Sequence, residues 1–184
     1  MRKVVSGLFI SLDGAVDAPD QWQHAFDDEM GESLGKTLES ADAVLMGRVT
    51  WEGWAEYWPN YSGGEDSAFA DWINGSPKYV VSTTLDDVSK WQNSHLIKGD
   101  LTTAVNELKQ GEGKDISVAG SVRLVRSLLE LDLLDRLDLM IHPVLAGGGF
   151  ERLFPQDAAK RNLELVSAES TSSGTILASY RPKR

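Results

Sequence analysis

Ala43-Val44-Leu45-Met46-Gly47-Arg48-Val49-Thr50-Trp51-Glu52-Gly53-Trp54 packs three structural signals into one short stretch. The run Ala43 to Met46 is apolar and has the length of a buried strand, and Gly47 ends it where the backbone must turn sharply. Thr50 is placed to cap a helix behind the turn, with Trp51, Trp54 and Trp58 recurring at helical spacing. A strand, a tight turn and a helix N-terminus aim free N–H groups and a positive dipole end at one point, which suits a phosphate. Arg48 lies inside the turn, where a guanidinium offers a bidentate contact that a lysine makes less well. Many strand-to-helix turns carry Gly and Arg for structural reasons alone, so the stretch needs a partner elsewhere in the chain.

Ile116-Ser117-Val118-Ala119-Gly120-Ser121-Val122-Arg123 supplies one. A short β-rich strand runs into Ala119-Gly120-Ser121 and then into a helix whose apolar positions include Val122, Val125, Leu128 and Leu129. Gly120 lets the backbone approach a ligand closely. Ser121 is suited to cap the helix and leave N–H groups for a pyrophosphate. One such turn is common, whereas two that meet side by side make a dinucleotide site.

Composition narrows the partners. The 184 residues suit one ordinary domain, 1–184, and 41% apolar content with six Trp is that of a packed globular chain. A formal charge of -10 argues against nucleic acid and against an anionic membrane surface, because both need a basic face. With no Cys, disulfides, thiolate catalysis and Cys-based zinc sites are excluded, and no His spacing supports a metal. The apolar part of the N-terminus is too short for a signal peptide, so a cytoplasmic protein is expected.

The remaining chain alternates strands and helices. Lys3 to Leu12 reads as a buried first strand ending at Asp13-Gly14-Ala15. Asp13 lies where open α/β sheets place ligands, and it suits an Asx-turn equally well. Gln21 to Ser40 reads as a helix with Trp22, Phe26, Met30, Leu34 and Leu38 on one stripe, and Asp27, Asp28 and Glu29 around it. The polar loop 59–66 is a candidate lid or dimer contact, and Ser67 to Ile73 is a helix. Trp54, Trp58, Phe69 and Trp72 are assigned to core or interface rather than to a cofactor. Lys78 to Leu85 reads as a strand ending in the hydroxyls Ser82, Thr83 and Thr84, followed by a short strand within 91–97 and a helix from Leu101 to Lys109. Arg136 to Leu145 is a further strand, closed by Ala146-Gly147-Gly148-Gly149, and His142 within it is read as structural. Leu163 to Ser170 and Gly174 to Arg181 form an antiparallel pair.

Taken together, Ser11-Leu12-Asp13-Gly14, Met46-Gly47-Arg48-x-Thr50-Trp51-Glu52, Ala119-Gly120-Ser121 and the segment from Leu137 to Gly149 resemble the C-terminal reductase domain of the bifunctional riboflavin-biosynthesis deaminase-reductase, within the dihydrofolate reductase fold. The resemblance implies an α/β fold, with a mixed, mainly parallel sheet flanked by helices and antiparallel C-terminal strands. It also implies NADPH as hydride donor, a small-molecule substrate and a homodimer. Carried over by position, Gly47, Arg48 and Thr50 hold phosphates, Ser82, Thr83 and Thr84 meet the adenosine ribose phosphate, and Gly120, Ser121, Val122 and Arg123 the pyrophosphate. Ala15 lies by the nicotinamide, while Asp13, Trp22 and Gly147, Gly148 and Gly149 line the substrate side. Asp13 is the first candidate for proton donor or substrate anchor, Asp28 the second and water the third. The zinc deaminase half has no counterpart in a Cys-free chain of this length. The implied reaction is reduction of a ribosylaminopyrimidine phosphate. A folate or pterin reductase and a catalytically silent nucleotide-binding dimer are the alternatives.

Overall fold

The computed structural model describes residues 1–183. In chain order the elements are β1 (Val4–Ser11), α1 (Asp28–Ser40), β2 (Ala41–Gly47), α2 (Arg48–Tyr57), α3 (Ser67–Gly75), β3 (Lys78–Val81) and β4 (Ser94–Ile97). There follow α4 (Leu101–Gln110), β5 (Asp115–Val118), α5 (Val122–Glu130), β6 (Arg136–His142), β7 (Leu163–Ser170) and β8 (Ile176–Pro182). They build one eight-stranded sheet in the order β4-β3-β2-β5-β1-β6-β8-β7. From β4 to β6 all neighbours are parallel, while β8 runs antiparallel between β6 and β7.

Both faces of the parallel part are covered, which explains the unbroken apolar run of β2. Ala43 and Leu45 join Val4, Leu8 and Ile10 of β1 in a layer with α4 and α5, through Val105, Val125 and Leu128. The intervening Val44 and Met46 face the other way, onto Trp51, Ala55, Ile73 and Trp91. Trp54, Trp58, Phe69 and Trp72 pack against that second layer as partly buried groups. Parallel strands share a direction, so the carboxyl ends of β3, β2, β5, β1 and β6 line up along one edge of the sheet.

Several sequence expectations are corrected. The first helix starts at Asp28, not Gln21: the Asp27 carboxylate accepts the Met30 N–H at 2.9 Å and caps it. Trp22 therefore lies outside the helical stripe, of which Met30 is the one buried member among the residues of α1. β3 ends at Val81, because the Ser82 hydroxyl accepts the N–H groups of Thr84 and Leu85 and bends the chain there. β6 ends at His142, just before Pro143.

Candidate functional site

Gly47 is the last residue of β2 and pairs with Val81, so the turn into α2 lies beside the turn that follows β3. On the other side Leu45 pairs with Val118 of β5, which brings up the 119–121 turn. The two glycine turns touch. Ser121 Oγ accepts the Gly47 N–H at 2.8 Å and donates to Thr50 Oγ1 at 2.7 Å. A Cβ added to Gly120 would meet Thr50 Cγ2 at 3.2 Å, and one added to Gly47 would stand 3.4 Å from Ser121 Oγ. Glycine is thus favoured at Gly120 both by closeness and by its φ of +53°, whereas a Cβ at Gly47 would only reach ordinary van der Waals contact.

Neither hydroxyl caps its helix as the sequence suggests. Gly47, not Thr50, is the N-cap of α2, and it offers no side-chain cap to the N–H groups of the first turn. Ser121 occupies the N-cap of α5 in the left-handed region (φ 54°), with its hydroxyl turned to the other junction. By contrast α1 and α4 carry Asp27 and Asp100 caps. Two helix N-termini with uncapped N–H groups therefore open side by side. A left-handed Ser costs on the order of 1 kcal/mol, strain of the kind that collects at ligand sites.

The charged groups around this edge are arranged differently from expectation. Arg48 bonds Glu52 one helical turn on, at 2.7 Å, with both side chains more than 40% exposed. Arg123 is exposed in the first turn of α5, and Val122 beside it packs towards the core. Ser82 is buried and spent on its own turn, whereas Thr83 and Thr84 are exposed.

The second half of the site surrounds the end of β1. Ser11 Oγ donates to Asp13 at 2.6 Å and accepts the Ala15 N–H at 2.9 Å. The Asp13 carboxylate also accepts the N–H groups of Ala146 and Gly147, each at 2.9 Å, and pairs with Arg152 at 3.0 Å. The Ser11 hydroxyl first, then those two amides and Arg152, hold its pKa well below the usual carboxylate range. Asp13 thus anchors the 146–149 loop through its carboxylate. Gly147 and Gly149 take positive φ, and the Arg152 guanidinium donates to the Gly147 carbonyl at 2.5 Å. Arg126 in turn bonds Glu151 and the carbonyls of Arg152 and Leu153. Ala15 is buried and bridges Arg152.

Asp28 is exposed on the first turn of α1, and its neighbour Asp27 faces inward instead. Asp27 accepts the Ser173 N–H at 3.1 Å, and the side chains of Ser173 and Thr171 keep it well below the ordinary carboxylate range. Trp22 is buried in the β1–α1 connection, donates to the Asp17 carbonyl and sets its ring edge-on to His142 at 5.7 Å. Asp27, Arg126 and Arg152 were missed by sequence reading, since Ser173, Glu151 and Asp13, the partners that place them in the site, are far from them in the chain. The acid triplet 27–29 was the one available hint.

An edge of this kind, on a mixed sheet whose last two strands are antiparallel, defines a dihydrofolate reductase-like α/β protein. Residues 2–177 match the RibD C-terminal domain, and the chain belongs to that family. It is 29% identical over 183 residues to uncharacterized protein YyaP of Bacillus subtilis (strain 168), covering 97% of this chain and 94% of that one. Uncharacterized protein YwjB of the same organism is 26% identical over 153 residues, 80% of each chain. Among solved structures, a putative riboflavin biosynthesis protein from Shewanella sp. PV-4 superposes with a TM-score of 0.78 at 20% identity, over 99% of both chains. Riboflavin biosynthesis reductase Rib7 of Saccharomyces cerevisiae gives 0.64 at 17% identity, over 100% of this chain and 89% of that one. Both likenesses are of fold. No helix among the described residues is long and apolar enough to cross a membrane.

Proposed function

We propose that this protein is an NADPH-dependent reductase of a small polar substrate with a C=N or C=O bond, most closely a 5-amino-6-(5-phosphoribosylamino)uracil reductase-like enzyme acting as a cytoplasmic homodimer. The observation that carries the reading is the Gly47–Ser121–Thr50 contact, which joins two uncapped helix N-termini at the carboxyl edge of the sheet. The residues fit a dinucleotide there: the close approach at Gly120 leaves the backbone bare where a diphosphate needs it. Gly47, Thr50, Gly120, Ser121 and Val122 would hold the diphosphate by backbone and hydroxyl donors, and Arg48, Arg123, Thr83 and Thr84 the adenosine side. Bound reduced nicotinamide supplies the hydride.

The chain's own residues orient the substrate. Asp13 fixes the 146–149 loop through two amides and Arg152, giving a substrate a rigid wall and a guanidinium close by. Asp13 acts as an anchor because an ionised carboxylate held by Ser11, Ala146, Gly147 and Arg152 has no proton to release at neutral pH.

The test is a titration of the protein and of Arg48→Ala with NADPH and NADH. Arg48 must leave an exposed partner, Glu52, at a cost of about 0.3–0.5 kcal/mol, to gain a charge-assisted phosphate contact of about 1.5–3 kcal/mol. NADPH preference of about 5- to 100-fold is expected, and its loss in the variant. Equal affinity for both cofactors in the unaltered protein overturns the assignment.

A further inference from the structure

With Asp13 committed to a loop and Asp28 exposed, a reductase needs another proton source, and the structure holds a group that nothing so far uses. His142, the last residue of β6, pairs in register with Ser11 at the end of β1, so it lies at the same sheet edge as Asp13. It is fully buried, and its Nε2 has no hydrogen-bond partner. An orphaned polar atom in the interior is costly and calls for an explanation.

A run of hydroxyls leads from the opposite ring nitrogen to a carboxylate. His142 Nδ1 lies 3.5 Å from Thr175 Oγ1, which lies 3.2 Å from Ser173 Oγ, and Ser173 meets the Asp27 carboxylate through both its N–H, at 3.1 Å, and its hydroxyl. An ionised carboxylate only accepts, so it turns the Ser173 hydroxyl towards itself, and the Thr175 hydroxyl follows towards Ser173. Thr175 Oγ1 is then left as acceptor for His142 Nδ1–H. This fixes the tautomer and puts the free lone pair on Nε2, where a proton can be taken up and given away. The rings of Phe9, Trp22 and His24 surround His142 at 5.9, 5.7 and 6.3 Å, and His24 is the exposed one. The charged or titratable groups acting on it are His24, from the β1–α1 connection, and Asp27, from the N-terminus of α1; Thr171, Ser173 and Thr175 of the β7–β8 turn are neutral.

We infer that His142 is the proton donor of the reductive step, with Nε2 the atom that carries the proton and Asp27 holding the ring in register through Ser173 and Thr175. The inference rests on the reductase reading. As a C–H bond forms at the substrate carbon with the electron pair of the incoming hydride, the C=N or C=O π pair moves onto the heteroatom, which takes the proton from Nε2. The imidazolium becomes neutral imidazole and is recharged from solvent by way of His24. Burial lowers the proton affinity of His142, His24 lowers it further, and Asp27 opposes both.

Imidazole-15N NMR between pH 4.5 and 8.5 tests the chain without any substrate. Neutral His142 should carry its proton on Nδ1. Asp27→Asn, which still caps α1, should lower its protonation midpoint by about 0.5–1 pH unit. Thr175→Val should remove the tautomer preference and Thr175→Ser keep it. An Nε2–H tautomer, or a midpoint indifferent to Asp27, overturns the proposal whatever the protein reduces. Turnover of the ribosylaminopyrimidine phosphate or of a cyclic imine with NADPH supplies the second readout. In His142→Gln, and more mildly in Thr175→Val should that variant fail to fold, kcat should fall about 100-fold with NADPH affinity unchanged. Full turnover in these variants overturns the donor role, whereas failure of the unaltered protein to bind NADPH overturns the reductase reading and leaves the NMR result to decide the proton chain.

Discussion

Removing the Ser121 hydroxyl isolates the contact on which the nucleotide site is built. In Ser121→Ala the Gly47 N–H loses its 2.8 Å acceptor and Thr50 its 2.7 Å donor, while the left-handed backbone remains. Two part-buried hydrogen bonds at about 1 kcal/mol each give a loss near 2 kcal/mol, or about 4–8 °C in Tm for a chain of this length. Ser121→Gly loses the same two bonds but adopts φ 54° freely, which returns about 1 kcal/mol. The expected order of Tm is therefore unaltered protein, then Gly, then Ala. Differential scanning calorimetry gives the order, and NADPH titration of both variants reports whether the junction still binds. An Ala variant that melts with the unaltered protein would show that the hydroxyl links nothing of consequence, and the paired-turn argument would fall with it.

Other perturbations read other parts of the molecule. Glu52→Gln frees Arg48 from its exposed pair and should tighten NADPH about twofold, seen by fluorescence titration. Asp13→Asn should raise amide hydrogen exchange at Ala146 and Gly147 by tenfold or more, because both amides lose a charged acceptor. Since the folded carboxylate is the stronger acid, its stabilising contribution is present above pH 4 and is lost as pH falls below that; Asp13→Asn should abolish this acid-dependent component in urea melts. Lys78 is fully buried, donates to the Ile73 and Ser76 carbonyls at 2.8 Å at the end of α3, and burial pulls its pKa down to about 8. The folded state binds fewer protons than the unfolded chain between pH 8 and about 10.4, so stability relative to Lys78→Met should rise across that window by on the order of 3 kcal/mol.

Local patterns carried most of the fold. The apolar run at 43–46 and the β-rich run at 116–118, each ended by a turn residue, give buried parallel strands, and in the first of them cover on both faces leaves no polar alternation. Gly47 and Gly120 were legible for the same reason: a bare backbone at a strand end has few other uses. Helix α4 announced itself through its amphipathic pattern, and the structure adds the Asp100 cap. What the sequence could not convey is where distant side chains point. The stripe that begins at Trp22 looks helical until Ser173, 146 residues away, claims Asp27 and fixes the start of α1. The two loop amides and Arg152 that close around Asp13, and the second nitrogen of His142 left without a partner, likewise belong to the folded chain alone. Periodicity and turn chemistry act over a few residues and are written in the chain, whereas the charge state of a carboxylate or an imidazole depends on neighbours that only folding assembles.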